Sequence, residues 1–118
     1  MPLNHNDRVS EWDEIEDSAL VQLVYASSLT LVSRLSASIF DEVECHARNY
    51  NQQHGITGTL CYGSGQFLQC IEGEKAHVFA LKQRIFADKR HKNAEILLLK
   101  PIKHRHFADW RMRLLFLE

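Results

Sequence analysis

The chain has 118 residues, 45% of them hydrophobic and 25% charged, which is enough for one globular core and leaves no room for a second domain. No apolar run approaches the roughly 18 to 20 residues that a membrane-spanning helix needs, and the N-terminus is polar and acidic rather than signal-like, so no membrane association and a cytoplasmic location are expected. The formal net charge of −1 singles out no partner, and the 3 cysteines (Cys45, Cys61 and Cys70) show no C-x-x-C spacing, which argues for reduced, mostly buried thiols over a disulfide framework or a metal site.

Charge is unevenly spread. Residues 1 to 18 form an acidic leader holding Asp7, Glu11, Asp13, Glu14, Glu16 and Asp17 against Arg8, whereas Lys100, Lys103, Arg105, Arg111 and Arg113 make the tail basic. Ser10 is placed to cap a short helix on which Trp12, Ile15 and Ala19 share a face. A helix that short is marginal alone, so order in the leader would have to come from docking.

Residues 19 to 118 form the folded domain. Leu20 to Ala26 is a predicted strand with Val21, Leu23 and Tyr25 on one face, and the Ser- and Thr-rich residues 27 to 35 read as a loop. Ser36 or Ser38 then caps a helix that runs to about Gln53, with Asp41, Glu42 and Glu44 near its positive end, an apolar stripe through Ile39, Val43, Ala47 and Tyr50, and Gly55 as its stop. Ile56 to Tyr62 and Gln66 to Glu72 read as a hairpin across Gly63-Ser64-Gly65. A second helix from about Glu74 to Ala87 carries Val78, Leu81 and Ile85 as a seam; Asp88 to His91 is a turn, Ala94 to Leu99 a fourth strand, and Met112 to Leu117 a fifth. The order β-α-β-β-α-β plus a fifth strand indicates an α+β, ferredoxin-like sandwich with both helices on one face of the sheet.

Three polar side chains interrupt apolar faces of this scheme. Gln69 lies between Phe67 and Ile71, Tyr25 ends the face of Val21 and Leu23, and Asn51 falls on the inward stripe of the first helix. Each alone has an ordinary explanation, a phenol bonded to a backbone carbonyl or an amide capping a helix end. Together with a flexible Met112, a phenol and two carboxamides on facing apolar surfaces suit a planar ligand with polar edges, because an unpaired buried amide group costs about 1 to 3 kcal/mol.

The series Leu23-Val24-Tyr25-Ala26-Ser27, Asn51 with Gly55-Ile56-Thr57-Gly58, Phe67-Leu68-Gln69 with Glu72-Gly73, Asp88-Lys89-Arg90-His91 and Phe107-Ala108-Asp109-Trp110-Arg111-Met112 resembles the blue-light-using-flavin (BLUF) photoreceptor domain over residues 20 to 117. The resemblance implies a blue-light receptor that holds a flavin, usually FAD with FMN as the alternative, between the two helices and signals to a downstream protein without turning over a substrate. It implies that Tyr25 is the electron and proton donor to the excited flavin and that Gln69 is the amide that switches its hydrogen bonds. By the same resemblance Asn51 holds the carbonyl and imide edge, Val43, Phe67 and Ile85 pack on the ring, Arg84, Asp88 and His91 lie near the ribityl and phosphate tail, and Trp110 and Met112 relay the signal. Tyr50 departs from the family, whose members often carry Asn or His there.

A ferredoxin-like RNA- or ligand-binding module without photochemistry is the alternative, but the K/R-G-F/Y-G/A-F pattern of base-stacking sheets is missing, and no nucleic-acid partner is expected. Cys45-His46 and His104/His106 lack the triad or phosphate loop that would make them catalytic or metal pairs. If Tyr25, Gln69 and Met112 face a flavin, then Leu20, Val24, Cys61, Leu68, Cys70, Leu115 and Leu117 face away and need a cover, either the leader through Trp12 and Ile15 or, as the commoner solution, a second copy in a homodimer.

Overall fold

The computed structural model describes residues 13–30, 39–108 and 113–116. Five strands and two helices follow in the order β1 (Leu20–Leu29), α1 (Ile39–His54), β2 (Thr57–Gly63), β3 (Gln66–Glu74), α2 (Lys75–Phe86), β4 (His91–Pro101) and β5 (Arg113–Phe116). The strands lie in one sheet in the order β4-β1-β3-β2-β5. The first four are mutually antiparallel, the ferredoxin-like arrangement, and β5 adds to the β2 edge in parallel.

Local chemistry sets these boundaries. Ser64 and Gly65 both have positive φ, the backbone of a two-residue hairpin turn whose twist matches the flanking strands. Gly55 has φ 65°, and the Ile56 amide donates to the Asn51 carbonyl at 2.9 Å, so α1 ends in a left-handed glycine cap. Glu74 caps α2 without a side-chain hydrogen bond. Asp17 at the end of the leader and Ala19 just after it do that work instead, because the Lys75 and Ala76 amides donate to the carbonyls of Ala19 and Asp17 at 2.9 and 3.1 Å, satisfying first-turn donors that have no partner inside the helix.

Several expected boundaries are corrected. β1 does not stop at Ala26: Ser27 and Leu29 are 4% and 5% exposed and still paired in the sheet, because a buried serine with a partner is as good a strand residue as an apolar one. β3 passes through Gly73 to Glu74. β4 opens at His91 rather than Ala94 and runs to Pro101; as an edge strand it tolerates a proline, a positive φ at Asn93 and two shifts of register against β1. The caps at Ser36 or Ser38, along with Trp12, Trp110, Met112 and Leu117, lie outside the described residues.

Val21, Leu23, Ile56, Leu60, Ile71, Val78, Leu81 and Ile96 form the buried core, with Ala47 and Tyr50 of α1 and Ile85 and Phe86 of α2 packed on it. Both helices therefore cover one sheet face. Ile15 joins this same core, so the end of the leader docks on the helix side and not on the opposite face, for which it was one of two candidate covers. On that opposite face Arg105, His106 and Phe107, from the segment that follows β4, bind Thr57 and Glu72. No described helix is long and apolar enough to cross a membrane.

Candidate flavin site

One row of paired residues crosses the whole sheet. Ile96 pairs with Tyr25, Tyr25 with Gln69, Gln69 with Leu60 and Leu60 with Leu114. At its centre the Tyr25 hydroxyl donates to Gln69 Oε1, and the two residues are 4% and 5% exposed. Burial, with the Asp88 charge adding to it, raises the phenol's pKa well above its ordinary 10.0, so Tyr25 keeps its proton throughout the neutral range. Phe86 meets the Tyr25 ring edge-on at 5.4 Å and fixes its direction.

Above this pair, between α1, α2 and the sheet, is a cavity of about 230 Å³. Tyr25, Gln69, Phe67 and Leu60 form its floor, Ala47, Tyr50 and Asn51 the α1 wall, Leu81, Arg84 and Ile85 the α2 wall, and Asp88, Arg90 and His91 one end. Asn51 is fully buried; the residue is engaged elsewhere, yet its Oδ1 receives no hydrogen bond.

The end of the cavity is held by a polar clasp. Arg90 binds the Asp88 carboxylate through its backbone amide and its guanidinium, with Nε 2.9 Å from both oxygens. Burial pushes the Asp88 carboxyl up, but the bonds and charge of Arg90 and the charge of His91 outweigh it and hold the group below its ordinary 3.8. His91 Nε2 faces the Ile85 carbonyl and so carries a proton for it, while Nδ1 is 2.8 Å from the buried Ser27 hydroxyl. The imidazole thereby ties the end of α2 to β1. Opposite, the Arg84 guanidinium lies 4.8 Å over the Tyr50 ring, which also meets the His54 ring at 4.2 Å in a tilted contact, so the departing residue Tyr50 is a wall held by two neighbours.

Of the residues implied as flavin contacts, Tyr25, Asn51, Phe67, Gln69, Arg84, Ile85, Asp88 and His91 all meet at this cavity. Val43 lies on α1, its side chain outside the described set. The lining residues missed from the sequence are Ala47, Tyr50, Leu60, Leu81 and Arg90. The first four belong to apolar faces legible as core, and nothing in a periodicity tells a core position from a cavity wall. Arg90 had a local signal, its spacing of two from Asp88.

The family model for sensors of blue-light using FAD matches residues 20–113. The chain belongs to the BLUF family. It is a flavin-dependent blue-light sensor domain, and the photoactivated cyclase subunits it resembles are much longer proteins. The photoactivated adenylate cyclase subunit alpha of Euglena gracilis is 30% identical over 111 residues, covering 94% of this chain and 11% of the relative; the beta subunit of Euglena longa is 37% identical over 98 residues, covering 81% and 11%. The chain thus spans about a tenth of the length of these curated relatives. Among solved structures, the BLUF protein BlrB in its dark state superposes with a TM-score of 0.80 at 34% identity, covering 86% of this chain and 75% of BlrB. A bacterial light-regulated adenylyl cyclase superposes at 0.78 with 33% identity, covering 82% and 28%.

Proposed function

We propose that the cavity binds the ring system of FAD and that Tyr25 and Gln69 are the light-operated switch beneath it. The buried hydrogen bond from Tyr25 to Gln69 Oε1 on the cavity floor is the observation that carries this reading. The walls fit a flavin: Phe67, Leu60, Leu81 and Ile85 offer apolar faces, and the carboxamides of Gln69 and Asn51 offer polar edges. A cavity of about 230 Å³ is smaller than the roughly 300 to 1,000 Å³ that encloses a whole ligand, which suits a buried ring with its tail running out past Arg84 and Asp88. FAD is favoured by the family's description; BlrP1 of Klebsiella pneumoniae, a neighbour at TM-score 0.76 and 29% identity covering 82% of this chain and 26% of that one, is described with FMN.

A bound flavin supplies the absorption of blue light and, once excited, a strong oxidant's demand on an electron-rich neighbour. The chain's own part is to keep the Tyr25 proton on a phenol aimed at one end of a carboxamide. A half-turn of the Gln69 amide would put its NH2 group where Oε1 now accepts, reversing donor and acceptor at Tyr25 without breaking a covalent bond. A buried network strengthens the consequence, since every member must re-pair. Trp110 and Met112 are the proposed relay to an effector protein or domain, and the domain itself senses rather than catalyses, in the cytoplasm.

A second copy of the domain is the proposed cover for the outer sheet face, where Leu68 and Leu98 are 44% and 40% exposed. A monomeric mass by light scattering at tens of micromolar would exclude that homodimer. The flavin reading itself is tested by purifying the chain with added FAD: a yellow protein with a resolved oxidised-flavin spectrum is expected, weakened in Asn51→Ala, and a colourless one would end the proposal.

A further inference from the structure

Glu72 is fully buried, and it lies on the sheet face opposite the flavin site, because Ile71 beside it is in the core. A carboxylate there needs several donors to remain charged. It has them. Oε1 accepts from the backbone amides of His106 and Phe107, each at 2.8 Å, and Oε2 accepts from Gln22 Nε2 at 2.9 Å with His106 Nδ1 at 3.0 Å. Burial pushes the Glu72 carboxyl up, and these bonds outweigh it and bring it below its ordinary 4.5. Arg105 adds bonds to the Thr57 hydroxyl at 2.9 Å and to the Glu72 carbonyl at 3.0 Å. Residues 105–107 are thus fastened to β1, β2 and β3, with the Glu72 carboxylate as the central anchor.

Glu72 follows Gln69 by three residues on β3, roughly 10 Å along the strand, and the segment it grips leads into residues 109–112 and β5. We infer that Glu72 is a positioning residue that couples β3 to the β4–β5 crossover, so that a change at Gln69 is passed through the strand to residues 105–107 and onward to the segment bearing Trp110 and Met112. The inference rests on the light-switch reading of Gln69 and adds to it the physical link on the far face. A strand can pass on a small shift there because a buried carboxylate with four donors holds the crossover to β3 as one body.

The test is hydrogen exchange of the FAD-loaded protein, in darkness and under blue light, followed at residues 102–116 alongside the absorption spectrum. In the natural chain, illumination should red-shift the flavin band and speed exchange at His106 and Phe107 roughly threefold or more. E72Q places an NH2 group against other donors, so it should keep the flavin red shift, exchange fast at His106 and Phe107 already in the dark, and lose the light-dependent increment. An E72Q protein that melts lower but keeps the full increment would make Glu72 a structural residue only and overturn the inference. So would a natural protein that red-shifts with no change at 105–107. Absence of any red shift in the natural protein strikes the light-switch reading itself and is told apart by the spectrum. Should E72Q fail to fold, Gln22→Leu removes one donor to Oε2 and leaves the two amide bonds; it must at least halve the increment, and an unchanged increment overturns the coupling.

Discussion

Tyr25, Glu72, Asp88 and Cys70 each hold a charge state set by burial and neighbours, and together they define a pH window for the fold. Glu72 and Asp88 titrate below their ordinary 4.5 and 3.8 in the folded chain, so the unfolded chain takes up protons first. Their stabilisation is present above those ordinary values and is lost as pH falls through the lowered ones. Burial, with the charge of Glu72 adding and that of Lys100 opposing, pushes the Cys70 thiol from 9.0 up to about 12, and Tyr25 moves up from 10.0. Their stabilisation is present below pH 9 and is lost as pH climbs through the raised values. Urea midpoints should form a plateau from about pH 5 to about pH 9 and fall on both sides; a midpoint unchanged down to pH 3 would contradict the assignment of Glu72 as a buried carboxylate.

The hairpin of β2 and β3 carries Gln69, and Gly58 is what lets its two strands meet. A Cβ on Gly58 would fall inside the contact distance of the Cys70 carbonyl oxygen, with the Ile71 Cα only 3.1 Å away, so the backbone itself would have to part. Gly58→Ala should cost about 3 kcal/mol, whereas Gly55→Ala, strained only by its φ of 65°, should cost about 1 kcal/mol; equal urea midpoints for the two would refute the close-approach account. The elements and their order were legible in the sequence because apolar alternation, the Gly63-Ser64-Gly65 turn and the Gly55 stop are local signals. Ser27 to Leu29 and His91 to Asn93 were not, since their strand state comes from pairing Ser28 with Lys92 and Leu29 with His91, partners far apart in the sequence. Glu72 illustrates the same limit: its sequence neighbours show an acidic residue at a strand end, and only the folded crossover makes it an anchor. The polar members of the site were legible for the opposite reason, as each breaks an apolar face.

At the scale of the whole molecule, the sheet has a different task on each face. A row of paired residues runs across the sheet from Ile96 through Tyr25, Gln69 and Leu60 to Leu114, so the proposed switch pair sits mid-sheet with a direct register to β5. On the far face, residues 105–107 bind β1, β2 and β3 together through Glu72 and Arg105. β5 is therefore reached from Gln69 by two routes, strand pairing on β2 and the crossover on the back. Both routes begin at the hydrogen bond between Tyr25 and Gln69, which makes that bond the central claim. The most direct measurement is the light-minus-dark absorption spectrum of the FAD-loaded chain beside Tyr25→Phe and Gln69→Leu. The natural chain is predicted to show a red-shifted flavin band that relaxes in darkness, and both variants to hold flavin without the shift; a normal shift in Tyr25→Phe would contradict the account.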